Sequence, residues 1–428
     1  MQKEFYRIEG GSRLEGTVSI SGAKNASVAI VPAAIMSGEC CILENLPHIQ
    51  DLKALEIILK QLGADVDFTN GDCMRIDASH ITNTSAVSPE ATEMRASYYL
   101  LGALLARFHE CDLALPGGCV IGKRPIDQHI KGMRALGAEV AVDEKTNILH
   151  ARAKKLVGTE IFFDMVSVGA TINVMLAASM AEGTTILSNV AKEPHVVDVA
   201  NFLNMMGASV KGAGTDTIRI KGKTKLHGCG YSVIPDQIET GTFMIAAAAT
   251  RGDLIIKNVI PTHMEAITSK LIESGARILE GDDGREVYLH VTMDKRPRPV
   301  NIKTLVYPGF PTDLQQPMMA YLSTAEGVSS ITETIFESRF NHVKELRRMG
   351  ASISVKNNET ALVKGVPELR GTDIFATDLR AGAALVVAGL MAQGTTNLHN
   401  IEYIDRGYEF LENKFTAIGG KIERISKK

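Results

Sequence analysis

The sequence has few cysteines and no arrangement that puts them to structural use. Cys40, Cys41, Cys73, Cys111, Cys119 and Cys229 form no C-x-x-C pair and no Cys/His group at zinc spacing. A disulfide scaffold and a structural zinc are therefore disfavoured, and a reducing compartment fits best. Excess charge is missing as well. With 46 Lys+Arg against 49 Asp+Glu the net charge is −3, so no global field draws the chain to nucleic acid or to an anionic membrane, and any anion site must be local. Long apolar runs are absent, since Gly, Ser, Thr and Asn interrupt them. The opening MQKEFYRIEG carries charges where a signal peptide needs an apolar core. A cytoplasmic protein without membrane spans is expected. There is no Walker loop, no H-E-x-x-H and no G-x-G-x-x-G following a strand, so nothing demands a metal or cofactor.

The 428 residues, 45% hydrophobic and 22% charged, have the mix of a folded globular protein, with chain enough for roughly two to four cores. They contain an internal repeat. A helix running into Gly-Ala recurs as KQLGADV, RALGAEV, NMMGASV, IESGARI, RRMGASI and, altered, TAIGGKI, placing glycines at 63, 137, 207, 275, 350 and 419. Glycine there is the expected left-handed stop of a helix. Upstream of each lies a small-residue helix closed by Gly and followed by a strand, as in AASMAEGTTILSNV, and downstream hairpin turns such as VDEKTNILH join paired strands. The unit reads β-α-β-α-β-β, six times.

The sixth copy ends after KIERI, whereas the chain begins with an unpartnered strand, EFYRIEG. Pairing these two closes the fold. It implies two lobes of three repeats each, residues 1–23 with 235–428 and residues 24–234. AIVPAAIM, INVMLAASM, FMIAAAA and AALVVAGLM are apolar nearly all round, so these helices belong inside, beneath outer sheets. A plain solenoid is the alternative. The charged content of the loops argues against it.

Aligned at the start of the first helix, the copies give Lys24 and Asn25, Arg95, Ser167, Glu239, Asp313, and Asp378 with Arg380; aligned at the second they give His48 and Asp51, Lys123 and Arg124, His195, His263, Arg339, and Arg406. Helix N-termini favour anions. Basic residues recurring at matching loops of a nearly neutral chain point to a substrate with several negative charges. Asp51, Asp127 and Asp198 are expected to be solvated capping residues, and five of the cysteines small buried hydrophobes. Cys119 differs, because ALPGGCVIGKRPIDQH sets it on a Pro-Gly-Gly loop near Lys123 and Arg124, a context that favours a thiolate.

Those residues resemble a known family. SGAKNA, MRAS, LPGGCVIGKRPID, VSVGAT, IETGTF, FPTDLQ, TETIFESRF, ATDLRAG and IDRGYE are similar, essentially end to end, to the UDP-N-acetylglucosamine 1-carboxyvinyltransferases, the enolpyruvyl transferases that begin peptidoglycan synthesis. The resemblance implies a two-lobed inside-out α/β barrel and two substrates, phosphoenolpyruvate and UDP-N-acetylglucosamine. It implies that Lys24 and Asn25 meet phosphoenolpyruvate, with Arg95, Arg124 and Arg406 around its phosphate and carboxylate. Arg124, Pro125, Ile126, Asp127, Gln128, Ser167, Val168 and Ile335 would line the nucleotide-sugar site. Asp313 would face the sugar hydroxyl, Cys119 would be the proton donor and the target of fosfomycin, and Asp378, Leu379 and Arg380 would support the closed site, with Arg339 in the basic set. Met165 and Gln237 depart from the family pattern, standing where a lysine and an arginine are expected. The related enzymes acting on shikimate 3-phosphate share the fold, but the P-G-G-C loop favours the sugar-nucleotide branch.

Overall fold

The computed structural model describes residues 4–116 and 126–426. The chain divides into two compact units, the first built from residues 4–21 and 235–426, the second from residues 22–116 and 126–234. The chain passes between them after Ser21 and after Ile234.

The third copy shows the repeat in one run. Strand Glu160–Phe162, helix Val168–Ala178, strand Thr184–Ser188, helix Pro194–Met205 and strands Ser209–Lys211 and Thr217–Lys221 follow in order. The short first strand pairs parallel with the second, and the last two complete the sheet antiparallel. Among the described residues there are six sheets, each of four strands in this arrangement. Two borrow their parallel edge strand from beside a chain crossing: Gly230–Ser232 joins Cys40–Glu44, and Glu15–Ser19 joins Asp253–Lys257. In the last sheet Glu4–Glu9 lies between Thr395–His399 and Lys421–Ser426, antiparallel to both. The opening strand thus completes the sixth copy, as expected.

The six glycines that end the repeat helices have φ of 102, 97, 93, 112, 95 and 90° in chain order, a conformation that costs a side chain dearly and glycine nothing. A second recurrent device sits at the end of the central strand. Asn45, Asn189, Asn258 and Asn400 adopt φ of 56, 58, 54 and 61°. Their side-chain amides donate to the carbonyls of Val233, Phe163, Ile20 and Ala376, each the residue just past the parallel edge strand of its sheet. Asparagine tolerates this conformation because its amide can bond locally.

Each unit buries its three small-residue helices. In the first, Gln237–Ala249, Gln315–Leu322 and Leu379–Met391 pack against one another; in the second, Tyr99–Phe108 packs against both Lys24–Ala34 and Val168–Ala178. Three are started by side-chain caps: Ser167 accepts from the Ala170 amide, Asp236 from Ile238 and Glu239, and Asp378 from Arg380 and Ala381. These caps satisfy amide groups that a buried helix end would otherwise strand away from water. Among the described residues no helix is long and apolar enough to cross a membrane.

Candidate functional site

In the first unit two of the expected residues, Arg339 and Arg380, meet at Asp313. This residue lies in a three-residue 3₁₀ turn, Thr312–Leu314, which leads into helix Gln315–Leu322. Arg339 donates from Nη2 to its Oδ1 at 2.7 Å, and Arg380 donates from Nε and Nη2 to Oδ2 at 3.1 and 2.9 Å. Both guanidinium groups are buried, whereas the Asp313 side chain keeps 26% of its exposure. Burial is the largest influence on the Arg380 charge and works against it, but Asp313, Tyr408 and Asp236 together outweigh it and the pKa rises above the ordinary value. Arg380 also stands over the ring of Tyr408, whose hydroxyl lies 2.8 Å from that of Thr242. Two of the expected basic residues are thus engaged by one carboxylate.

Asp378 serves Leu379–Met391 as its N-cap through Oδ1 and accepts on Oδ2 from Gln316 at 3.3 Å. Beneath lies His342, fully buried, with its imidazole pushed down to about 4 by desolvation and held neutral. Ile335 is partly exposed and its amide donates to Glu333 at 2.8 Å. Arg406 is half-buried and follows the short helix Glu402–Asp405, where Asp405 receives both ends of the Arg424 guanidinium at 2.5 and 3.0 Å. Gln237 opens helix Gln237–Ala249, half-buried.

In the second unit Lys24 and the half-buried Asn25 begin helix Lys24–Ala34. The Lys24 ammonium lies 3.2 Å from Asp51. Arg95 begins a 3₁₀ turn, Arg95–Tyr98, with its guanidinium 5.6 Å from the Tyr98 ring centroid. Asp127 opens helix Asp127–Ala135 in an exposed position after half-buried Ile126. Gln128 is buried and bridges, donating to Asp127 at 2.8 Å and Asp164 at 3.1 Å and accepting from the Asp164 amide at 3.0 Å. Ser167 caps the helix that Val168 begins. Behind them His129 is buried against Asn173, 3.0 Å away, and stacks obliquely on Tyr98. Met165 is exposed. Cys119, Arg124 and Pro125 lie outside the described residues.

Several expectations need correction. Asp51 and Asp198 are buried and bonded rather than solvated: Asp51 meets Lys24, and Asp198 accepts from the Tyr231 hydroxyl at 2.5 Å. Cys40, Cys73 and Cys229 are only partly buried, unlike Cys41 and Cys111. Glu333, which accepts from Thr312, and Gln316, which donates to Asp378, lie beside the Asp313 turn without having stood out in the sequence. A signal for Glu333 was present, since it stands one residue after strand Val328–Thr332, where four other copies carry asparagine.

Comparison with known proteins narrows what this chemistry serves. The family model described as EPSP synthase (3-phosphoshikimate 1-carboxyvinyltransferase) matches residues 8–415. A UDP-N-acetylglucosamine 1-carboxyvinyltransferase of Clostridium botulinum is 56% identical over 422 residues, 98% of this chain and 99% of that one. The UDP-N-acetylglucosamine 1-carboxyvinyltransferase 2 of Bacillus subtilis is 52% identical over 98% of this chain and 96% of its own. Among solved structures the enolpyruvyl transferase NikO from Streptomyces tendae superposes with a TM-score of 0.89 at 27% identity, covering 100% of both chains. An EPSP synthase from Acinetobacter baumannii, with a TM-score of 0.74 at 19% identity over 99% of this chain and 100% of that one, shares the fold. The six-sheet architecture and its full-length relatives agree: the chain belongs to the EPSP synthase family and, within it, to the UDP-N-acetylglucosamine 1-carboxyvinyltransferases.

Proposed function

We propose that the chain transfers the enolpyruvyl group of phosphoenolpyruvate to the 3′-hydroxyl of UDP-N-acetylglucosamine through Asp313 as base and Cys119 as acid, releasing phosphate. The transfer itself follows from family membership and is the first committed step of peptidoglycan synthesis. The assignment of residues is our reading of the chemistry. Protonation at C3 of phosphoenolpyruvate makes C2 electrophilic, and the sugar hydroxyl adds there once a carboxylate takes its proton. Loss of phosphate and of a C3 proton restores the double bond. A base must come within about 2.6–3.2 Å of the proton it removes. Asp313, oriented from behind by Arg339 and Arg380 yet still partly exposed, suits that role, and its orientation by two buried guanidinium groups is the observation that carries the proposal.

Lys24, Asn25, Arg95, Arg124 and Arg406 hold the phosphate and carboxylate of the donor, where arginine's planar fork binds oxyanions two-pronged. Pro125, Ile126, Asp127, Gln128, Ser167, Val168 and Ile335 take the nucleotide sugar, and Asp378 keeps Arg380 in place. Neither nucleic acid nor a membrane is part of the reaction, which we place in the cytoplasm.

The test is to incubate the protein with phosphoenolpyruvate and either UDP-N-acetylglucosamine or shikimate 3-phosphate. Inorganic phosphate and a carboxyvinylated sugar nucleotide, followed by mass spectrometry, are expected with the first acceptor only. Turnover with the shikimate alone overturns the assignment of acceptor. A Cys119→Ala variant with undiminished rate and fosfomycin sensitivity removes the acid role.

A further inference from the structure

We propose that Glu333 is the positioning residue for Asp313, a repeat asparagine converted into a four-donor clamp that holds the base turn and the neighbouring Ile335 segment in one geometry. The inference rests on the reading of Asp313 as base.

The position has a structural job in the rest of the molecule. Asn45, Asn189, Asn258 and Asn400 each donate to the carbonyl just past the edge strand, a bond that only ties the sheet. In the fifth copy the edge strand is Ile302–Lys303, and the residue past it is Thr304. A carboxylate cannot donate, so the bond is inverted: Thr304 Oγ1 donates to Glu333 Oε1 at 2.8 Å. The sheet tie is supplied instead by Thr334, whose hydroxyl donates to the Thr304 carbonyl at 2.5 Å. Glu333 is thereby released for other contacts. Its Oε1 accepts from the amides of Ile335 and Phe336 at 2.8 and 3.3 Å, and its Oε2 accepts from Thr312 Oγ1 at 3.0 Å.

This last bond matters because Thr312 precedes Asp313 within a 3₁₀ turn of three residues. A 3₁₀ turn that short has little stability of its own. Arg339 and Arg380 fix the Asp313 carboxylate from one side, but the turn holds its own backbone weakly, and Thr312 provides a second anchor. Glu333 is 3% exposed. A buried carboxylate with four donors is strongly committed to its place, since moving it would leave desolvated donors and acceptors unpaired. The clamp therefore transmits rigidity from the sheet to the base, and to the Ile335 segment that lines the nucleotide-sugar site in the proposed function.

Thr312→Val removes only the hydroxyl that couples the clamp to the turn and leaves the Ile335 and Phe336 amides bound. We expect kcat to fall about tenfold or more, as displacement of a reacting group by about 1 Å costs on the order of a hundredfold, with KM for the nucleotide sugar unchanged. Glu333→Ala should lower kcat as much and also raise that KM, and Glu333→Gln, which keeps an acceptor for the amides, should restore KM. In the double variant Thr312→Val with Glu333→Ala, the loss in kcat should not exceed that of Glu333→Ala alone, because both act through one bond. Wild-type kcat in folded Thr312→Val, or additive losses in the double variant, overturns the clamp. If Asp313→Ala itself keeps full rate, the reading of the base has failed instead; an inactive Asp313→Ala beside a fully active Thr312→Val condemns the clamp alone.

Discussion

Arg380 grips Asp313 by one oxygen with two donors, Nε at 3.1 Å and Nη2 at 2.9 Å, leaving the other oxygen to Arg339. One carboxylate thus compensates two buried guanidinium groups. Asp313→Asn preserves shape but withdraws the compensating charge. Uncompensated buried charge costs about 3 kcal/mol or more, so the variant should unfold at distinctly lower urea. The rate should fall about 10²–10⁴-fold with loss of the base. Urea titration and phosphate release measure the two separately, and a stable, fully active Asp313→Asn contradicts both roles.

Much of this fold was legible because its signals are local and repeated. Six glycines at nearly regular spacing stop six helices, and a left-handed residue at each is a backbone requirement that the sequence states directly. The pairing of EFYRIEG with KIERI could be read because one copy lacked a strand and the other end of the chain had one to spare. The engagement of Arg339 and Arg380 by Asp313 could not, since it joins residues 26 and 67 positions apart. Alignment of the repeats shows which loop a charge occupies, not which neighbour it meets. Asp198 failed for a related reason: a polar residue in the first turns of a helix looks solvated until Tyr231, from a strand 33 residues on, covers it.

The repeat glycines allow backbone strain to be isolated from crowding. Gly350 has φ +95° with nothing within 4 Å of an added Cβ. Gly350→Ala therefore pays for conformation alone, about 1–2 kcal/mol. Gly63→Ala, at φ +102° with the His80 carbonyl 3.0 Å from the new Cβ, should cost more. Denaturant midpoints at constant m decide the order, and equal losses at the two sites would mean that the His80 segment yields freely.

Arg424 collects three carboxylates in the first unit: Glu4 at 2.9 Å, Asp405 at 2.5 Å and Glu412 at 3.2 Å, with the ring of Tyr6 5.2 Å from its guanidinium carbon. It ties the first strand to the last and braces the helix that precedes Arg406. Arg424→Met leaves three like charges together, so a loss of about 2 kcal/mol is expected at neutral pH, below the fully buried case because the side chain is 27% exposed. Arg424→Lys should recover less than half, because an ammonium group cannot span the three acceptors. The hydrogen bond from Arg424 holds the Glu4 carboxyl below its ordinary value of 4.5, so the deficit of the methionine variant should shrink as pH falls below that value and this contribution is lost from the wild type. A deficit independent of pH would assign the cost to lost packing on Tyr6.

Asp198 offers a pH test in the second unit. Burial raises its pKa from 3.8 to about 6, against the Tyr231 hydroxyl and the Ile234 amide, which favour the charged form. The folded protein thus holds this proton more tightly than the unfolded chain. Below about pH 4 both states are protonated and the contribution is complete; between about 4 and 6 only the unfolded chain ionises, and stability drains away; above about 6 the loss levels off. A rise of that size corresponds to about 3 kcal/mol. Asp198→Asn cannot titrate, and it forfeits one acceptor at every pH, so its offset is constant and the difference between wild type and variant isolates the carboxyl. His342, depressed from 6.5 to about 4, acts with the opposite sign, since the folded state resists its protonation and stability is lost as pH falls through that interval, but it is present in both proteins and cancels. Urea unfolding at about pH 4, 5, 6 and 7 should show wild type losing about 2–3 kcal/mol relative to Asp198→Asn across that range. A flat difference would mean that the Tyr231 and Ile234 bonds offset the burial penalty on the carboxylate, and a wild type that gains on Asp198→Asn as pH rises would mean that they exceed it.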